Sequence, residues 1–225
     1  PYLDRLWRHG IPVATSTAPW PPMVWQACLL RNSHPSAAEH LDFVRDEMAD
    51  FCEKGFWAVL PYAAIAHHPR LRLSPLGCIP QRDRRPHLIT NLTFNAVNAE
   101  TVRLGPSEAM QFGRALQRIL FRLRHANPAF GPTYLCKIDI SDGFYRIGLA
   151  ADSAPVLAVA LPPMTGEPAL VAIPLSLPMG WVESPPYFCA FTETGADLAN
   201  ASMHHRYAPP HRLDAVSETT PMPDP

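Results

Sequence analysis

Apolar positions along this chain fall into three helical stretches, separated by short runs with the tighter rhythm of strands. In the first stretch Leu41, Val44, Met48 and Phe51 recur at spacings of 3, 4 and 3. Ser36-Ala37-Ala38-Glu39 ahead of it has the form of a capping box. Lys54 and Gly55 behind it supply a cation for the helix dipole and a C-cap glycine. The second stretch starts at Pro106, a residue suited to a first helical turn, and runs to His125. Its apolar stripe is Met110, Leu116, Ile119, Leu120 and Leu123, while Arg114, Arg118 and Arg122 make a basic row at i, i+4 and i+8. The third opens where Ser184-Pro185 provides an N-cap and a first-turn proline, and extends to Met203. Phe188, Phe191 and Leu198 are its predicted buried side, and Gly195 weakens its middle by about 1 kcal/mol relative to Ala.

Between these helices the pattern predicts strands. Phe56 to Leu60 is one. Leu73 to Pro80 and His87 to Asn91 form a hairpin around the charged turn Gln81-Arg82-Asp83-Arg84-Arg85. Tyr134 to Ile140 is a further strand, and Val156 to Pro162 and Ala169 to Leu175 are two more, joined by a Met-Thr-Gly-Glu turn. Residues 1–35 are rich in Pro and Trp and lack a period; Trp20, Pro21-Pro22 and Trp25 predict an extended arm that wraps onto something else. Residues 206–225 hold Pro209-Pro210 and three further prolines, and read as a linker or disordered tail. The class expected is α+β, with an arm over 1–35, a helix-and-hairpin region over 36–130 and a strand-rich region over 131–205.

At 225 residues the chain can bury a core. No apolar run approaches the roughly 20 residues of a membrane span, and no signal-peptide pattern opens it, so no membrane partner is expected. The five cysteines are widely separated and odd in number, which fits an intracellular, reduced protein better than a disulfide framework. His67-His68 and His204-His205 have no neighbours at zinc spacing. There is no Met at position 1, and the proline-rich end resembles a severed linker, so a piece of a longer polypeptide is expected.

Charge is close to balanced at −1, but it is unevenly placed. Between Arg70 and Arg124 ten arginines face Asp83, Glu100 and Glu108, a balance of +7. From Glu183 onward six acids face only Arg206 and Arg212, a balance of −4. A basic block beside an acidic one suits a track for a polyanion. Seventeen arginines against two lysines, with 27 prolines, also fit a compositional bias; such a bias explains Arg in place of Lys, but not the clustering.

The chemistry concentrates in two runs. In Lys137-Ile138-Asp139-Ile140-Ser141-Asp142-Gly143-Phe144-Tyr145 a strand carries an aspartate to its end and breaks into an aromatic pair. A buried carboxylate there costs several kcal/mol unless something positive meets it, and a hard cation such as Mg²⁺ is a natural partner. The second run is Leu177-Pro178-Met179-Gly180-Trp181-Val182-Glu183-Ser184-Pro185-Pro186-Tyr187-Phe188. Together, in this order and with a strand, loop and strand between them, the runs resemble motifs A and B of reverse transcriptases of the retroviral and retrotransposon kind. The resemblance covers about Ala37 to Met203 and implies the fingers and part of the palm of a right-hand polymerase.

What the resemblance implies is template-directed nucleotidyl transfer from a dNTP to a primer on an RNA or DNA template, with two Mg²⁺ or Mn²⁺ ions as cofactors. Asp139 is then the motif A metal ligand, with the Ile140 carbonyl completing the shell. The amides of Asp142 and Gly143 lie against the triphosphate, as consecutive N–H groups in a turn can. Phe144 matches the aromatic that blocks a ribose 2′-hydroxyl, and Pro178, Met179 and Gly180 line the base and sugar. Basic residues on the hairpin turn hold the triphosphate, here Arg82, Arg84 or Arg85. The row Arg114, Arg118, Arg122 is either a template contact or a solvated face.

The chain also departs from the family. Asn91 stands where an Asp is usual, His87 where a basic residue is usual, and Met179 where several retroviral enzymes have Gln. Motif C, a hairpin with an aromatic, one variable residue and two aspartates, has no counterpart after Cys189. With one of three expected aspartates the chain alone is expected to be inactive. The alternative is a non-catalytic remnant of a retroelement that binds nucleic acid or another protein.

Overall fold

The computed structural model describes residues 2–110, 114–135, 137 and 139–205. In chain order its regular elements are α1 (Tyr2–His9), α2 (Pro22–Arg31), α3 (Pro35–Glu39), α4 (Leu41–Glu53), β1 (Trp57–Pro61), α5 (Tyr62–Ile65), β2 (Leu73–Gln81), β3 (Arg84–Thr90), α6 (Val97–Glu100), α7 (Arg114–Arg124), β4 (Ala158–Ala160), β5 (Leu170–Pro174) and α8 (Ser184–His205). The strands form one mixed sheet in the order β1-β5-β4-β2-β3. All neighbours are antiparallel except β2 and β4. The class is α+β, and among the described residues no helix is long and apolar enough to cross a membrane.

Strand alternation divides the core between the two faces of the sheet. Ala158, Val171 and Ile173 join Leu71, Leu73, Leu157, Leu177, Trp181 and Tyr187 on one side. Val159 and Ala172 join Leu76, Val44, Met48, Phe56 and Trp57 on the other. α4 covers this second face, and its end follows the sequence closely. Gly55 takes φ +71, its N–H reaches the Cys52 carbonyl and the Phe56 N–H reaches that of Phe51. This is a Schellman closure, with the expected hydrophobic contact between the Phe51 and Phe56 rings.

Several expectations change. The predicted capping box does not form: His34 precedes α3, the chain breaks at His40, and the Ser36 hydroxyl accepts a hydrogen bond from the Cys78 N–H instead. The hydroxyl thereby ties the helix pair to β2. The arm does wrap onto the core, burying Leu6, Ile11 and Val13, but it holds two helices, the first of which carries Leu6. Leu116, Ile119 and Leu120 of the second predicted helix are exposed, as is Leu198 of the third. The strand predicted over Tyr134 to Ile140 is absent among its described residues, which are exposed. An extended segment needs a neighbouring ladder to become a strand, and the described residues of this run pair with neither edge strand, β1 or β3. The predicted tail over 206–225 lies outside the described residues.

Two arginines of the basic block belong to the architecture. Arg72 is buried, pairs with Glu100, donates to the Thr17 hydroxyl and lies over the Trp20 ring at 5.1 Å. Arg70 donates to the Val13 carbonyl and faces Asp152. They fasten the arm to the start of β2. Burial alone would raise the Glu100 carboxyl, but the hydrogen bond from Thr17 and the Arg72 charge outweigh it and hold it below its ordinary value. A carboxylate held low in the folded state adds stability above its unfolded pKa of about 4.3, and that stability is lost as pH falls through the folded value. Glu100→Gln is therefore expected to lower the Tm at neutral pH, with the gap to the unmodified chain narrowing below about pH 4. A gap of constant size across that range would show that the charge contributes nothing.

Candidate functional site

The loop between β5 and α8 is fixed by four contacts. Gly180 adopts φ +98, and its carbonyl accepts from the Asn98 amide at 2.9 Å. The Asn98 side-chain oxygen in turn accepts from the Val182 N–H at 3.0 Å. The Thr90 hydroxyl, at the end of β3, donates to the Met179 carbonyl. Ser184 does not cap α8; its buried hydroxyl donates to the Pro178 carbonyl at 2.7 Å and closes the loop on itself. Pro178 is buried, whereas Met179 and Gly180 are exposed.

Glu183 is buried, and one of its oxygens accepts from both the Leu104 and Gly105 N–H groups at 2.6 Å. The other lies 3.6 Å from the Arg103 guanidinium. This carboxylate joins the segment after α6 to the start of α8. Residue order offers little warning of it, since a charge next to Ser-Pro reads as an exposed first-turn acid. Thr90 and Asn98 carried no sequence signal at all.

The turn after Asp139 packs on the same helix. Asp142 is in the left-handed region at φ 55, and the 3-10 turn Gly143–Arg146 follows. A Cβ at Gly143 would come within 2.9 Å of the Phe188 ring, which would have to shift to admit it. The aromatic pair splits. Phe144 meets Phe188 edge-on at 5.0 Å, while Tyr145 stacks on Phe56 at 5.1 Å in the opposite direction. Burial pushes the Tyr145 hydroxyl up to about 12, which makes it a neutral core anchor at physiological pH.

Asp139, Ile140, Gly143 and Phe144 line an open groove of about 410 Å³ together with Phe188 and Thr192 of α8. Asp139 is exposed. The Asp142 carboxylate lies 3.9 Å from Arg146. Among the described residues no three His, Cys, Asp or Glu side chains converge. Of the residues described as lining the groove, Asp139 carries the one carboxylate.

Pro178, Met179 and Gly180 do not line this groove, although they lead into the helix that does. The hairpin turn is a third location. Arg85 is held by Glu47 at 2.6 Å and lies over the Phe43 ring, so it is occupied. Arg82 is almost fully exposed beside Asp83 at 3.8 Å, and Arg84 is exposed without an ion pair among the described residues. Of the row on α7, the Arg122 side chain is exposed; those of Arg114 and Arg118 lie outside the description. The site residues expected from sequence thus fall into three places, the groove, the loop and the hairpin turn, with α8 linking the first two.

No model of a known protein family matches the chain, and no curated protein matches it.

Proposed function

We propose that this chain is the fingers and partial palm of a retroelement reverse transcriptase, whose activity is template-directed nucleotidyl transfer from dNTPs. The observation that carries the reading is the seating of the Asp139-to-Tyr145 turn on α8 through Gly143, Phe144 and Phe188. α8 is also the helix that the Leu177-to-Glu183 loop feeds. Two runs linked only by sequence resemblance are therefore neighbours through one helix, with Asp139 and Phe144 facing the same groove. A β2–β3 hairpin carrying exposed Arg82 and Arg84 at its turn adds support as a phosphate contact. Asp139 and the Ile140 carbonyl would bind Mg²⁺ only with carboxylates supplied from beyond the described residues.

That Asp139 is the one carboxylate among the described lining residues of the groove favours one alternative, a retroelement remnant that holds template or primer without chemistry. Both readings place a nucleic acid against the basic hairpin turn, and that is the common test. The chain is expected to bind single- or double-stranded nucleic acid weakly and without sequence preference, with affinity falling steeply as salt rises. Arg82→Glu combined with Arg84→Glu should lower affinity at least about tenfold at low salt and reduce the salt slope by about 2 on duplex DNA. Fluorescence anisotropy across a salt series measures both. No binding at low ionic strength, or a double variant that binds as before, rules out this surface.

A further inference from the structure

α7 has no extended packing against another element among the described residues. Its stripe Leu116, Ile119 and Leu120 is exposed to 63%, 45% and 56%. A stripe this apolar on a helix surface calls for a cover. By the 3.6-residue period Arg122 and Arg124 lie on opposite flanks of the stripe, and both are exposed. No acidic residue occurs between Glu108 and Asp139, so the region is basic throughout.

The complementary feature is on the same chain. α8 and the Ser107–Ala109 turn enclose an open groove of about 370 Å³. Leu3, Ala109 and Ala190 give it an apolar floor, and Glu193 and Asp197 an acidic edge. α8 carries no Lys or Arg along its whole length. Among the described residues, one helix of single positive sign with an apolar stripe and one acid-edged apolar groove are both open in a single copy.

We propose that α7 of one copy of this chain docks into the α8 groove of a second copy. The stripe meets Leu3, Ala109 and Ala190, and Arg122 and Arg124 meet Glu193 and Asp197. A two-fold axis makes the contact twice, α7 on α8 and α8 on α7, as an isologous dimer requires. The doubling matters, because one helix in one groove falls short of the roughly 1,200–2,000 Å² of a specific interface. The proposal does not depend on the polymerase reading.

The test is solution mass by light scattering at low and high salt, on the full chain. The unmodified chain should be dimeric at micromolar concentration and dissociate as salt rises. Arg122→Glu with Arg124→Glu should give a monomer, because α7 then repels the groove. Glu193→Arg with Asp197→Arg should do the same from the other side. An equimolar mixture of the two double variants should recover the dimer, since each α7 then meets a groove of opposite charge in both directions. Recovery also shows that neither variant lost its fold. A monomeric unmodified chain overturns the proposal, including one that binds anionic lipid vesicles or folds α7 onto its own groove. So do dimers that survive both reversals, and a mixture that stays monomeric.

Discussion

Gly180→Ala is expected to lower the unfolding free energy by about 3 kcal/mol, one of the largest effects open to a single methyl group in this chain. Two causes add. The backbone stands at φ +98, where an L-residue is strained, and a Cβ would sit 2.6 Å from the Thr90 carbonyl oxygen and 2.8 Å from its hydroxyl. The loop cannot retreat without breaking its bonds to Asn98 and Thr90. Gly55 is the control, since it also has a positive φ of +71 but meets nothing within 4 Å. Gly55→Ala should cost only about 1 kcal/mol. Urea unfolding of both variants separates the causes: equal losses would mean that φ alone decides and that the approach of Thr90 is irrelevant.

The second large effect is on chemistry, and follows from the proposed function. In a protein that joins this chain to the missing carboxylate pair, Asp139→Asn should cut nucleotide incorporation by at least about a thousandfold, the upper range for removing one preorganised electrostatic group. Template binding should change little, because Arg82 and Arg84 lie elsewhere. Asp139 is exposed and makes no ion pair among the described residues, so stability should move by less than about 0.5 kcal/mol. Lost incorporation can then be read as lost chemistry. Phe144→Ala should keep activity and admit ribonucleotides, at the cost of the edge-on contact with Phe188. Primer extension with deoxy- and ribonucleotides measures both. Undiminished incorporation by Asp139→Asn would falsify the motif A assignment, leaving that aspartate a turn residue.

Local signals in the sequence were read well where local physics decides. Period and glycine chemistry located α4 and its end, turn residues the hairpin β2–β3, and Ser184-Pro185 the start of α8, although Ser184 opens that helix without capping it. They failed where a distant partner decides. Ser36 has two suitors, a helix terminus and the Cys78 N–H, and the second wins because it fixes α3 against the sheet. Tyr134 to Ile140 has strand composition, but its described residues join neither edge of the sheet. The helices α1 and α2 were hidden because Pro and Trp obscure a short period, and burial of Leu6 and packing of half-buried Trp25, Cys28 and Leu29 against the core support them instead. For the candidate site, the candidate residues followed from the motifs. The buried Glu183 carboxylate and the Asn98 clasp did not, since both depend on contacts across about 80 residues of chain.

The order of the sheet also sets a timetable for synthesis. β1 pairs only with β5, Trp57 opposite Pro174, and β2 reaches β5 only through β4. A chain leaving the ribosome at about 5–20 residues per second therefore carries β1 unpaired for roughly ten seconds. During that time only the β2–β3 hairpin can close. The aromatic β1 segment and the underside of α4 remain sticky until residues 158–174 emerge. Nascent chains halted before β5 are the species from which aggregates should grow, and the cell's holding chaperones would meet this protein chiefly in that interval.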